Sequence, residues 1–130
     1  MAIFANTEKM YEVLGELFRT LAAEPGIVDT LAADNLTIKF SISEPGGEIW
    51  LLPDGQVICG GHDGKPVVEM TLGGDTCHKF WLQQIKMPVA LAKGLIKAKG
   101  PMPKVLKLMP LLKPAYAAYP AIAQKAGLAI

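Results

Sequence analysis

After Asp75 the sequence contains no aspartate or glutamate. Residues 79–130 carry nine lysines, whereas residues 1–78 hold all 12 acids and four bases (Lys9, Arg19, Lys39, Lys65). The formal net charge of +1 therefore joins an acidic half at −8 to a basic half at +9. Either helices from the basic half lie beside the acidic half and neutralise it, or the lysines form a face for anionic partners. Such partners include phospholipid headgroups and the phosphates of an activated ligand. None of the C-terminal bases is arginine, on which base readout leans, and no aromatic platform is interleaved with them. The reading is therefore no nucleic acid.

Other absences narrow the classes further. A membrane-spanning helix needs about 20 consecutive apolar residues. The longest charge-free stretch of the C-terminal region, 114–124, falls short of that and is interrupted by proline. A basic leader followed by an apolar segment is missing, since Glu8, Glu12 and Glu16 occupy that place, and the expectation is a cytoplasmic protein. Two cysteines, Cys59 and Cys77, make no disulfide framework and read as reduced thiols. The glycine pairs 46–47, 60–61 and 73–74 build neither a phosphate loop nor a dinucleotide fingerprint. The carboxylates are scattered singly, so no acid–base pair stands out.

Cys59, His62, Cys77 and His78 offer four metal-ligand types, but adjacent Cys77 and His78 on a helix point about 100° apart and rarely share one ion. Cys77 as a nucleophile, with His78 or His62 as base, lacks any group that would orient the base. No catalytic set, metal or cofactor is called for, and the expectation is a protein that is not an enzyme.

What the chain does have is apolar surface. Residues of the set A, V, I, L, M, F, W, Y and C make up 51% before the 13 glycines are counted. Soluble domains reach about 45–50% with glycine included. One domain over 1–130 is expected, and its apolar excess calls for a cavity, a greasy face or a subunit interface.

Periodicity then orders the elements. Thr7 reads as an N-cap, and Met10, Leu14, Leu17, Phe18 and Leu21 recur at helical spacing until Pro25-Gly26. A short helix follows over 27–33. Residues 36–43 alternate Leu36, Ile38, Phe40 and Ile42 with polar partners, which is a half-buried strand. Strands over 48–52, 56–61 and 66–72 follow, separated by turns, and read as an antiparallel sheet with the first. Asp75 or Thr76 reads as the cap of a helix carrying Phe80, Trp81 and Ile85. Pro88 opens another helix, Gly94 ends it, and 95–99 reads as a fifth strand. Helices broken near Pro110 and Pro120 complete an α+β layout.

The bulky apolar residues cluster late. Phe80, Trp81, Ile85, Met87, Leu91, Met102, Val105, Leu106, Met109, Leu111, Leu112 and Tyr116 exceed what a thin two-layer domain needs, and four of the six methionines lie at or after Met70. A long apolar pocket between sheet and C-terminal helices is the natural sink.

The run from Lys86 to Gly100, KMPVALAKGLIKAKG, followed by KVLKLMPLLKP from Lys104, resembles the sterol carrier protein type-2 family. The resemblance spans roughly residues 7–120 and rests on glycine spacing and helix–strand–helix order. It implies a five-stranded, mostly antiparallel sheet, with helices over one face enclosing a hydrophobic tunnel. It further implies non-enzymatic binding, with or without transfer, of a fatty acid, acyl-CoA, phospholipid, sterol or isoprenoid. The tunnel residues it implies are Phe80, Trp81, Ile85, Met87, Leu91, Leu95, Met102, Val105, Leu106, Met109, Leu112 and Tyr116. Lys86, Lys93, Lys97, Lys99, Lys104 and Lys107 are candidates for a headgroup or a transient contact with an anionic membrane surface. The competing reading is an interaction module, such as a homodimer, whose apolar C-terminal helices pack on a partner with no ligand.

Overall fold

A computed structural model describes residues 3–128. In chain order the elements are α1 (Thr7–Ala22), α2 (Ile27–Ala33), β1 (Ile38–Ser43), β2 (Gly47–Leu51), β3 (Val57–Cys59), β4 (Val68–Gly73), α3 (Gly74–Trp81), α4 (Met87–Ala92), β5 (Ile96–Lys99), α5 (Met102–Leu111) and α6 (Lys113–Lys125). The strands form one sheet in the order β3-β2-β1-β4-β5. The architecture is α+β, as the alternation and helical periods predict.

One pairing differs from expectation. β4 does not extend an antiparallel meander; it lies parallel to β1, in register from Ile38 opposite Val68 to Ser43 opposite Gly73. The other three pairings are antiparallel. Period two assigns each side chain a face but says nothing about which strand is its neighbour. The segment 60–67 carries the chain back past β2, and Val67 N–H donates to the Thr37 carbonyl at 2.8 Å to seat β4 beside β1.

Ile38, Phe40, Ile42, Ile49, Leu51, Val68, Met70, Leu72 and Ile96 point to one face and are buried. α1 packs on this face with Met10, Val13, Leu14, Leu17, Phe18 and Leu21. Phe18 stacks on Phe40 at 4.6 Å between centroids and meets Trp81 edge-on at 5.6 Å. The opposite face is polar, with Lys39 bridging Glu48 at 3.1 Å and Glu69 at 3.6 Å. Trp50 shares that face and is nevertheless buried, because the His62 ring packs against it at 5.0 Å.

Three helix boundaries are corrected. The N-cap of α1 is Asn6, whose Oδ1 accepts from Lys9 N–H at 2.8 Å. Thr7 is already helical and its hydroxyl donates to the Gly46 carbonyl at 2.6 Å, tying α1 to the β2 turn. Neither Asp75 nor Thr76 caps α3: the N-cap is Gly73, and the Asp75 carboxylate instead accepts from Ile3 N–H at 2.8 Å. The expected break near Pro110 is present, at Leu112, but Pro120 lies inside α6 with no break. Both prolines are on exposed sides, where a missing donor leaves the preceding carbonyl open to water.

Candidate functional site

The apolar residues around the α3–α4 junction form a cleft. α3 stops after Trp81, and Gln83 adopts a left-handed conformation with φ 63°. Gln84 N–H then donates to the Lys79 carbonyl at 2.9 Å, so the chain doubles back toward α4. Pro88 sits in the first turn of α4, where its missing N–H costs nothing. Phe80, Gln83, Ile85, Lys86, Met87 and Pro88, with Tyr116 from α6, line a space of about 220 Å³. Phe80 meets the Tyr116 ring edge-on at 5.4 Å, and Trp81 lies 5.8 Å from the same ring. Burial pushes the Tyr116 hydroxyl pKa up, which keeps it a neutral donor at the apolar wall. The walls are thus mainly carbon, with Gln83, Lys86 and the Tyr116 hydroxyl as polar points.

No protein-family model matches the sequence, and no curated protein matches it. Solved structures do match in shape. The sterol carrier protein domain 2 of Helicoverpa armigera superposes with a TM-score of 0.69 at 18% identity, covering 84% of this chain and 89% of that one. Apo sterol carrier protein 2 from Yarrowia lipolytica gives 0.61 at 17%, covering 79% and 89%. Sterol carrier protein 2 from Aedes aegypti, solved with the C16 fatty acid palmitate, gives 0.56 at 15%, covering 76% and 93%. The fold is that of sterol carrier protein 2.

Within this sterol carrier protein 2 fold, the residues singled out from the sequence separate into three groups. Phe80, Ile85, Met87 and Tyr116 meet at the cleft, together with Lys86. Trp81, Val105 and Leu112 are buried in the core behind it, and Leu91 and Met109 pack half-buried against that core. Leu95, Met102 and Leu106 lie on the surface, 41%, 63% and 55% exposed. Gln83 and Pro88 are lining residues that the apolar pattern did not pick out. The sequence does mark Pro88, but only as the start of a helix.

The lysines also divide. Lys93, Lys97 and Lys99 are exposed, the last two on the polar face of edge strand β5. Lys104 donates to the Asp34 carbonyl at 2.8 Å and Lys107 to the Asp34 carboxylate at 2.8 Å. Lys125 pairs with Glu16 at 2.9 Å. Helices from the basic half therefore do neutralise part of the acidic half. The Lys107 hydrogen bond, with the charges of Lys107 and Lys104 behind it, holds the Asp34 carboxyl below its ordinary 3.8. A depressed folded-state value stabilises the fold above 3.8, and that contribution is lost as the pH falls through the lower folded value. Thermal unfolding followed against pH should show the native chain losing stability more steeply than Asp34→Asn on acidification through this range. Parallel curves would mean that the tie between α2 and α5 contributes nothing.

Cys77 and His78 serve the interior, whereas Cys59 is half-exposed and His62 packs on Trp50 at the polar face of the sheet. Cys77 is buried, and burial raises its thiol pKa to about 12, with Trp81 offsetting this slightly. Burial also raises the half-exposed Cys59, partly countered by the Arg19 charge. Nucleophilic thiols need the opposite shift. His78 is buried, its Nδ1 sharing a 2.6 Å hydrogen bond with the buried Tyr119 hydroxyl, which joins α3 to α6. Among the described residues no three of His, Cys, Asp and Glu gather as a metal site, and no helix is long and apolar enough to cross a membrane. Labelling with an aromatic disulfide at neutral pH should modify Cys59 first and Cys77 only on unfolding. Fast labelling of Cys77 in the folded protein would contradict its burial.

Proposed function

We propose that this protein is a non-enzymatic lipid carrier that holds the apolar chain of its ligand in the cleft between α3, α4 and α6. The observation that carries the reading is the cleft itself. Phe80, Ile85, Met87, Pro88 and Tyr116 present carbon to a preformed space at the junction of the covering helices. Support also comes from the palmitate held by the Aedes aegypti protein of the same fold. Burial of a hydrocarbon chain supplies the driving force, about 0.8 kcal/mol per CH2. Lys86, exposed at the cleft, is placed to meet a carboxylate or phosphate head. Leu91, Val105, Met109 and Leu112 stand behind the wall and would extend the site if α5 and α6 part from α1 and α3. No step of chemistry is required, in keeping with thiols that are raised in pKa rather than activated. The reading places the protein in the cytoplasm, where it would carry lipid between membranes.

The test is displacement of a fluorescent fatty acid, with mass spectrometry of an organic extract of the purified protein. Micromolar binding and a co-purified lipid are expected. Ligand at 100 times its Kd should also stabilise the fold by about 2.7 kcal/mol, read as a rise in Tm. A clean extract together with no displacement at micromolar protein would overturn the proposal.

A further inference from the structure

The outward side of α5 is apolar where a surface helix is ordinarily polar. Met102, Leu106 and Pro110 succeed one another at four-residue intervals and form one ridge along the helix. Met102 and Leu106 are 63% and 55% exposed, and Pro103 and Pro110 are exposed beside them. The opposite side, Val105, Leu108 and Leu112, is buried in the core. The packing needs of α5 are therefore met inward, and the ridge is surplus to the fold.

Charge says what the ridge faces. Lys107 and Lys113 flank it, and neither α5 nor α6 contains a carboxylate. The single carboxylate of Asp34 serves both Lys104, at 3.7 Å, and Lys107, at 2.8 Å, so positive charge is left over. We propose that this face of α5 docks on the surface of an anionic lipid bilayer, the ridge entering the headgroup–acyl boundary and the lysines meeting lipid phosphates. A helix with apolar and basic residues together on its free side is built for that boundary. A second copy of the chain fits less well, because a two-fold contact would set Lys107 and Lys113 against like charges. The face is also joined to the cleft: α5 passes through Leu112 into α6, whose Tyr116 is a cleft wall. Docking thus goes beyond the carrier reading by naming the surface from which a lipid would be taken up.

Vesicle co-sedimentation tests this with phosphatidylcholine alone and with phosphatidylcholine containing about one-third phosphatidylserine. Binding should be at least about tenfold stronger to the mixed vesicles at low salt and should fall steeply as salt is raised. The neutral double variant Met102→Ser, Leu106→Ser should lose about tenfold in vesicle binding, since two exposed side chains no longer insert. It should still bind the fluorescent fatty acid as the native chain does. Equal binding to both vesicle types, or undiminished binding of the double variant, overturns the docking proposal. So does a concentration-dependent dimer that the double variant disperses, which would assign the ridge to a contact between copies. A protein that binds fatty acid but neither vesicle loses the docking surface and keeps the carrier reading, whereas vesicle binding without fatty-acid binding does the reverse.

Discussion

Gly100→Ala should destabilise the protein by about 2–6 kcal/mol. Gly100 joins β5 to α5 with φ at +139°, a conformation that L side chains rarely adopt. Forcing an alanine there costs on the order of 1–3 kcal/mol. The added Cβ would also run into the Val67 carbonyl oxygen and lie 3.3 Å from Val68 Cα. Both are backbone atoms at the entry to β4, where Val67 N–H is fixed on the Thr37 carbonyl, and cannot swing aside, so overpacking adds about 1–3 kcal/mol. In a chain of this length the Tm should drop by roughly 6–30 °C. Gly94→Ala is the control. Gly94 has φ at +73° with no atom within 4 Å of its notional Cβ, so only the left-handed backbone is charged, about 1–2 kcal/mol. If the two variants melt together, the close approach between the β5–α5 junction and β4 is wrong. The placement of α5 over the core would then need revision.

The same junction shows what the sequence could and could not disclose. Gly100 closes the stretch on which the family resemblance rests, and the glycine is needed because a neighbouring backbone passes where a side chain would stand. The faces of β1 and α1 were equally legible. Ile38, Phe40 and Ile42 alternate cleanly, and Met10, Leu14, Leu17 and Phe18 follow one helical stripe that is buried throughout. Strand order was not legible, since alternation is blind to neighbours, and the parallel β1–β4 pair was missed for that reason. In α5 the failure is of another kind. Apolar residues occur almost all round the helix, so periodicity cannot choose between the side carrying Val105 and Leu108 and the side carrying Met102 and Leu106. Packing chooses the first, and the residues left outside become a surface feature that no stripe could have predicted. The caps failed locally: Asn6 and Thr7 are both good N-caps, and the decision between them was made by a distant acceptor, the Gly46 carbonyl.

Fatty acids of increasing length should bind the cleft with a steep ladder of affinities. Each CH2 buried against Phe80, Ile85, Met87, Pro88 and Tyr116 is worth about 0.8 kcal/mol, or roughly fourfold in Kd. Four added methylenes should therefore tighten binding by about 200-fold while space remains. The ladder should level off once the chain outruns the apolar walls, because further methylenes stay in water. Ile85→Glu should flatten it from the start. Ile85 is half-buried at the cleft rather than packed in the core, so the variant should fold, with Tm near that of the native chain. A carboxylate there must either stay hydrated, excluding the hydrocarbon, or lose water against it at a cost of several kcal/mol. Affinity for the longer acids should fall by about tenfold or more. Ile85→Val removes one methylene and should cost only about fourfold. Titration calorimetry across a chain-length series gives the answer, and buried hydrocarbon should also register as a negative heat-capacity change. If short and long acids bind alike, or if Ile85→Glu keeps the native ladder, then apolar burial in this cleft does not drive binding and the ligand lies elsewhere on the molecule.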